Sequence, residues 1–190
     1  MIDLNYQLIL ASGSPRRKQL LEALGFTFEV RKPDIDERYP PELSKSEIAL
    51  YLAKKKAAAM QPTLAPEELL ITADTTVVCG EKLLEKAANA KEAREMLSQL
   101  SGKSHQVITG VCLTTAEKQQ AFATTTEVHF HTLDGADIDY YIEKFSPYDK
   151  AGAYGIQEWI GMIGVAHLKG SFYNVMGLPV DQLYTCLKSF

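Results

Sequence analysis

The chain has 190 residues, a length that predicts one domain, built at most from two lobes. Twenty basic residues against 24 acidic ones give a net charge of −4, which excludes a protein held on nucleic acid by bulk charge but allows a local basic site. No apolar run approaches the roughly 18 residues of a membrane span, and the apolar stretch 8–11 is too short for a signal peptide. We expect a cytoplasmic protein that binds neither membranes nor nucleic acid.

Strands and helices are predicted to alternate through the first half of the chain. Ser14 is a favoured N-cap, Pro15 suits the first helical position, and Gly25 suits a helix end. Ser44 and Glu47 form a capping-box pattern. The predicted elements are a strand over 7–11, a helix from 15 to 24, a strand over 26–32, a loop over 33–41, a helix from 44 to about 60, and a strand over 69–79 that Asp74 interrupts.

The second half predicts a helix and a pair of strands before a long loop. Residues 105–115 and 121–133 read as neighbouring antiparallel strands joined by a polar connection. The other predicted elements are a helix over 89–100, a helix over 137–144, a glycine-rich loop over 147–164 and a terminal helix after 179. Because strands and helices mix without strict βαβ order, the fold class is α/β with a mixed sheet.

The segment Ser12-Gly13-Ser14-Pro15-Arg16-Arg17-Lys18 concentrates three cations in the first turn of a helix. The positive end of the helix dipole disfavours cations there. Backbone N–H groups, serine hydroxyls and guanidinium groups together suit a chain of phosphates. The alternative is a solvated helix start with the arginines in water. The P-loop pattern is absent.

Two acidic features are candidates for chemistry. Asp74 is the only charged residue between Leu69 and Gly80, and a buried carboxylate needs a metal, a cation or backbone donors. The alternative is a turn residue that caps a strand end. The loop Asp34-Ile35-Asp36-Glu37 carries carboxylates that could hold a hard divalent cation, although most acidic loops are only solvated surface.

Three further features also allow a functional interpretation. The loop 148–157 combines small residues with Tyr148, Lys150 and Gln157, and could approach a ligand and hydrogen-bond a base edge; an ordinary surface loop is the alternative. His129 and His131 share one strand face, where a polar surface is favoured over metal binding. The chain has three cysteines, Cys79, Cys112 and Cys186. Their odd number and the absence of a C-x-x-C motif favour reduced thiols over a catalytic nucleophile.

Long motifs in a fixed order make the chain resemble the Maf family of nucleoside triphosphate pyrophosphatases over residues 8–187. The matching segments are LILASGSPRRKQLLEALG (8–25), DIDE (34–37), LAKKKA (52–57), ITADTTV (71–77), LLEK (83–86), LSGKSHQVITGV (100–111), DKAGAYGIQ (149–157) and GSFYNVMGLPV (170–180).

The resemblance implies a fold like that of the inosine triphosphate pyrophosphatases, with an elongated mixed sheet, flanking helices and two lobes around a deep cleft, formed here by the single domain 1–190. It implies hydrolysis of a nucleoside triphosphate between its α- and β-phosphates, to a monophosphate and pyrophosphate. A divalent cation, Mg²⁺ or Mn²⁺, is the expected cofactor. A homodimer is the expected assembly.

Roles in the family are carried over residue by residue. Asp74 matches the aspartate that accepts a proton from the attacking water, and Glu37 and Asp74 are the expected metal ligands. The other matches are the phosphate-binding turn with Ser12, Arg16 and Arg17, the cleft lysines Lys56 and Lys86, and the positions associated with base choice, Arg16, Thr75 and Gln157.

The combination at the base-choice positions resembles the branch of the family that prefers dTTP and UTP over 7-methyl-GTP. Two positions depart from the usual family pattern. Ala87 stands where a proline usually follows the cleft lysine, and Glu158 and Trp159 follow Gln157 where many members have small residues. The alternatives are a member of the 7-methyl-GTP branch, a phosphatase that releases inorganic phosphate, and a non-catalytic nucleotide-binding regulator of septum formation.

Overall fold

The structure, a computed structural model, describes residues 4–190. The first three residues of the expected domain 1–190 therefore lie outside the description. The strands are Gln7–Ala11 (β1), Phe28–Val30 (β2), Glu68–Cys79 (β3), Lys82–Leu84 (β4), Ser104–Thr114 (β5), Gln119–Phe130 (β6) and Val165–Lys169 (β7). The α-helices are Pro15–Ala23 (α1), Lys45–Met60 (α2), Ala90–Leu100 (α3), Gly135–Phe145 (α4), Trp159–Gly164 (α5), Phe172–Met176 (α6) and Val180–Ser189 (α7).

These strands form one mixed sheet, which confirms the predicted α/β class. The strand order is β2-β1-β3-β5-β6-β7, with β4 paired to the end of β3. β1 is parallel to both β2 and β3, whereas β4 is antiparallel to β3 and β7 to β6. β5 and β6 are neighbours joined only by residues 115–118. So short a connection permits only the predicted antiparallel pairing.

The chain divides into two compact units, each with its own core. The first contains the described residues up to Asp74, Thr109–Thr124 and Gly177–Phe190; the second contains Thr75–Ile108 and Thr125–Met176. Buried clusters in the first unit include Ile9 with Leu70 and, separately, residues of α2 with β5. In the second unit, buried residues of α3, α4 and α5 pack with aromatic residues of the sheet and loops.

Gly110 lets β5 approach α2 closely in the first unit. A methyl group added at Gly110 would lie 2.4 Å from the Cα atom of Leu50 and 2.5 Å from the carbonyl of Ala49. Both neighbours are backbone atoms, which cannot move aside as a flexible side chain can. The absent side chain therefore sets the distance between the strand and the helix, and α2 carries one of the predicted site residues, Lys56.

Two predictions about local structure are wrong. Asp74 does not interrupt its strand, since β3 runs continuously over Glu68–Cys79. The segment 147–164 is not all loop, because α5 occupies Trp159–Gly164 and a short 3-10 turn occupies Pro147–Asp149. Tertiary packing produces α5: Ile160 is fully buried, and the helix lies so close to the preceding chain that a methyl group at Gly161 would collide with the Ile156 carbonyl.

Candidate active site

Strand β3 presents Asp74 to helix α2. Alternate residues of a strand share a face, so Thr72 and Asp74 point the same way. The Thr72 hydroxyl donates to the Ala53 carbonyl of α2 at 2.7 Å. One helical turn later, Lys56 reaches Asp74, with its Nζ 2.7 Å from Oδ1. The Asp74 carboxylate, which the sequence predicted to need a partner, therefore has a lysine.

Lys56 also holds Glu37. Its Nζ lies 2.7 Å from Glu37 Oε1, and the Lys56 side chain is only 7% exposed. Asp74 is 13% exposed, whereas Glu37 is 52% exposed. One buried ammonium thus brings together two carboxylates from distant parts of the chain. The structure joins three predicted site residues, and the Glu37 part of the predicted acidic loop is more than solvated surface.

Ser12 and Arg17 lie in the turn between β1 and α1 and at the start of that helix. The Ser12 hydroxyl is buried and accepts hydrogen bonds from the Ser14 N–H at 3.2 Å and from Arg17 Nη1 at 3.3 Å. Ser14 is the N-cap as predicted, but its side chain makes no capping bond, and no acidic residue occupies the first turn of α1. Partly exposed Arg16 precedes Arg17.

The Arg17 guanidinium is bound to the protein itself. Nε donates to the Gly177 carbonyl at 2.8 Å, and Nη1 donates to the Ala73 carbonyl at 2.9 Å. Burial lowers the pKa of Arg17, the charges of Asp74 and Glu37 oppose this change, and Arg16 adds to it. A guanidinium remains charged at any physiological pH despite such a shift. Arg17 therefore ties α1 to the chain beside Asp74 and places a positive charge near both carboxylates.

The remaining predicted site residues belong to the second unit. Thr75 follows Asp74 in β3 and is partly buried. Lys86 is exposed, and its residue forms an antiparallel bridge with Ala151. Ala87, which replaces the usual proline, is buried in the core of this unit. This bridge at Lys86 joins the segment after β4 to the loop that follows Lys150.

Gln157 lies within a tight turn of that loop. The Glu158 N–H donates to the Gly155 carbonyl at 3.0 Å, which makes Gln157 the third residue of a four-residue turn. Among the described residues, no hydrogen-bond partner is found for its buried Oε1 atom. An amide with an unused acceptor can offer that acceptor to a ligand after a side-chain rotation or amide flip.

Alternative centres of chemistry find no support among the described residues. All three cysteines are free, and burial raises the pKa of both Cys112 and Cys186, the opposite of thiol activation. His129 stacks on His167 with ring centroids 4.8 Å apart and contacts Ser104. No group of three or more histidine, cysteine, aspartate or glutamate residues in the range 4–190 is placed to hold a metal.

A divalent cation nevertheless fits the Glu37–Asp74 pair. Both carboxylates converge on one positive charge, since each lies 2.7 Å from the Lys56 Nζ atom, and a cation held by the pair would share or take the place of that ammonium. Mg²⁺ commonly takes one or two protein carboxylates and completes its coordination with water and substrate phosphates. The Glu37 and Asp74 carboxylates are thus a donor set of the kind that such an ion takes.

The sequence comparison decides the family. The model of the Maf-like protein family matches residues 7–190. The chain belongs to the Maf family. This membership confirms the predicted resemblance, and it covers both units described above.

Maf relatives with assigned names cover almost the whole chain. A protein of Phocaeicola vulgatus named dTTP/UTP pyrophosphatase is 56% identical over 184 residues, which are 96% of this chain and 95% of the relative. A protein of Parabacteroides distasonis with the same name is 54% identical and covers 97% of this chain and 96% of its own. Identity remains 49% for the protein of that name from Porphyromonas gingivalis, with 97% and 94% covered.

A solved structure supports the fold. The Ham1 protein of Staphylococcus aureus matches 96% of this chain and 98% of its own, with a TM-score of 0.50 and 15% identity. At this identity the likeness concerns the fold alone. None of the described helices is long and apolar enough to cross a membrane.

Proposed function

We propose that this Maf protein hydrolyses dTTP and UTP to the monophosphates and pyrophosphate. The observation that carries the proposal is the Asp74 carboxylate, held by Lys56 and accompanied by Glu37 and Arg17. Two carboxylates with a lysine and an arginine suit phosphoryl chemistry, which depends on positioning and charge neutralisation. The shared name of the relatives, dTTP/UTP pyrophosphatase, supports the choice of substrate.

Asp74 is the proposed general base. Its carboxylate accepts the proton of the water that attacks the triphosphate, and the bond between the α- and β-phosphates breaks to release pyrophosphate. The 2.7 Å contact with Lys56 fixes the position of this carboxylate. Glu37 and Asp74 would hold Mg²⁺ or Mn²⁺, which would neutralise phosphate charge.

The remaining cationic and hydroxyl groups are assigned to the phosphates. Ser12, Arg16, Lys56 and Lys86 supply the polar and positive groups that a triphosphate requires. Arg17 contributes its charge while its donors hold the carbonyls of Gly177 and Ala73. An overall acidic chain thus offers local positive charge to an anionic substrate.

Gln157 is proposed to recognise the base, and Thr75 and Arg16 are assigned to the same role from the family resemblance. An amide offers one acceptor and two donors, which match the N3–H and O4 edge of uracil and thymine. Cytosine presents the reverse pattern at N3 and N4. A site that pairs with one edge disfavours the other, because buried polar groups are left without partners. Modified pyrimidine triphosphates such as 5-methyl-UTP keep the matching edge.

The test is a panel of triphosphates with Mg²⁺ or Mn²⁺, including dTTP, UTP, CTP, ATP, GTP and 7-methyl-GTP. We expect the highest kcat/KM for dTTP and UTP, with pyrophosphate as the product. Asp74→Asn should lower kcat by about 10²- to 10⁴-fold, the usual scale for a missing acid–base group, without unfolding the protein. A clear lead for 7-methyl-GTP or CTP would contradict the base assignment.

The same assay separates the other functions. A phosphatase would release inorganic phosphate instead of pyrophosphate. A non-catalytic regulator of septum formation would bind nucleotides without turnover, and Asp74→Asn would then leave its affinity unchanged. Activity that persists in excess chelator would contradict the divalent cation.

We also propose a cytoplasmic homodimer that acts on nucleotide pools. This proposal rests on the family resemblance and on the cytoplasmic supply of nucleotides. Light scattering after size-exclusion chromatography measures the assembly, and a monomeric mass at micromolar concentration would contradict it. Fractionation of cells that produce the tagged full-length chain tests the location.

A further inference from the structure

Glu158 stands next to Gln157 in the tight turn that presents the amide. Its N–H closes the turn by donating to the Gly155 carbonyl at 3.0 Å. Its side chain then folds back over the same segment, since a methyl group placed on Gly155 would lie 2.7 Å from Glu158 Cδ and 3.0 Å from Gln157 Nε2. The carboxylate and the amide therefore cover one glycine together.

Two buried groups fix the Glu158 carboxylate. Lys150 Nζ lies 3.0 Å from Oε1, and the Lys150 side chain is 8% exposed. The Tyr141 hydroxyl donates to Oε2 and accepts a hydrogen bond from the Gly155 N–H at 3.0 Å. Burial and the bond to Glu158 raise the pKa of Tyr141, so the phenol remains a donor. Helix α4, through Tyr141, and the loop, through Lys150, are thereby joined at one carboxylate.

The side-chain oxygen of Gln157, unlike the Glu158 carboxylate, is not fixed by hydrogen bonds from the described residues. Its Oε1 atom is buried without a hydrogen-bond partner, so no donor of the described protein fixes the amide from that side. The position of the amide must then come from the backbone turn and from the packing over Gly155. The turn uses only the backbone N–H of Glu158, whereas the packing over Gly155 depends on the Glu158 side chain.

We infer that Glu158 is a positioning residue for base selection, which aims the Gln157 amide by joining Tyr141, Lys150 and Gly155. This inference rests on the proposed function, and it assigns a role to a residue that stands where many Maf members have a small one. Glu158 itself need not touch the substrate. Its loss should impair the preference among bases more than the reaction.

The test compares Glu158→Ala and Glu158→Gln with the wild type on dTTP and CTP, using the full chain with Mg²⁺. We expect Glu158→Ala to lower the ratio of kcat/KM values, dTTP over CTP, by about tenfold, the discrimination given by one hydrogen bond. The loss should be mainly in KM for dTTP, because Asp74 is untouched. Glu158→Gln keeps an acceptor for the Tyr141 hydroxyl, so its ratio of kcat/KM values should lie between those of the wild type and Glu158→Ala.

Glu143→Ala is the matched control. It removes an exposed carboxylate from α4, the helix that carries Tyr141, and should leave the ratio unchanged. Circular dichroism and melting curves establish that each variant is folded. If Glu158→Ala does not fold, Glu158→Gln carries the comparison, because it preserves the volume and the Tyr141 contact.

The outcomes separate this inference from the proposed function. If wild type releases no pyrophosphate from any triphosphate, the proposed function fails and the inference falls with it, before any variant is made. If wild type prefers dTTP but the variants lose dTTP and CTP turnover equally, Glu158 only supports the fold. An unchanged ratio in Glu158→Ala would overturn the positioning role in the same way.

Discussion

Replacing Lys56 with methionine should destabilise the protein through the two carboxylates left behind. Methionine keeps the apolar stem but removes the ammonium that lies 2.7 Å from both Asp74 and Glu37. At an effective dielectric constant of about 20, each such contact represents a gross attraction of roughly 6 kcal/mol. Desolvation of the charges offsets much of this attraction, and breaking a buried pair costs about 3–5 kcal/mol.

The expected loss lies at the lower end of that range. Glu37 is 52% exposed and can turn towards water, whereas the Asp74 side chain is only 13% exposed. We therefore expect Lys56→Met to lower the free energy of unfolding at pH 7 by about 3 kcal/mol. In the double variant with Asp74→Asn, the loss should be about 2 kcal/mol smaller than the sum of the single losses, because the stranded charge is gone.

Urea unfolding of the wild type, the two single variants and the double variant measures this coupling. Lys54→Met is the matched control, since Lys54 is an exposed neighbour in the same helix and its loss should stay within about 0.5 kcal/mol. Additive losses in the cycle, or a Lys56→Met loss as small as the control's, would refute the account of Lys56 as the partner of Asp74.

Three further predictions concern stability. Gly110→Ala should lower the free energy of unfolding in urea by about 2–3 kcal/mol, because its methyl group would meet the backbone of α2 at 2.4 Å. Gly13→Ala is the control, since a methyl group there has ordinary contacts, and a Gly110→Ala effect no larger than the control's would contradict this. Arg17→Lys should cost about 1–3 kcal/mol through lost carbonyl bonds, measured against Arg38→Lys at an exposed position; equal melting temperatures would contradict it. Burial lowers the pKa of His105 from 6.5 to about 4, so the neutral imidazole contributes its full stability above pH 6.5. As the pH falls from 6.5 to 4, the unfolded chain takes up a proton at His105 first, and the free energy of unfolding should decrease by about 3 kcal/mol. His105→Gln should flatten that part of the pH–stability curve, and an unchanged slope would refute the assignment.

The long elements of this fold could be predicted because each carries its own local pattern. Capping residues and apolar spacing mark α1 and α2, and runs rich in β-branched residues on either side of a polar connection mark the pair β5 and β6. The short elements could not be predicted in this way. β7 follows α5 directly, with Gly164 ending the helix and Val165 beginning the strand, so no turn residue separates them. Pairing of β7 with β6 supplies the order that the local sequence does not specify.

The partner of Asp74 shows where site prediction from sequence reaches its limit. A charge inside an apolar run indicates either a break or a distant partner, and only the fold decides between them. The sequence of α2 nevertheless contains a signal for this partner, Lys56. Buried residues there follow the helical spacing Ala49, Leu52, Ala53, Lys56 and Ala57, so Lys56 occupies an apolar-face position among three consecutive lysines. The pairing of that face with Asp74 is a property of tertiary structure alone.

The adjacent residues Arg16 and Arg17 show a second limit of site prediction from sequence. Consecutive helical residues point about 100° apart, so Arg16 and Arg17 cannot serve one ligand in the same manner. Arg17 lies three and four positions before the buried pair Leu20 and Leu21, on the stripe that faces the protein, and it binds two backbone carbonyls. Loss of activity at Arg17 would therefore combine altered substrate binding with displacement of the helix that carries Arg16. Only a stability measurement made beside the kinetic one can separate these two contributions.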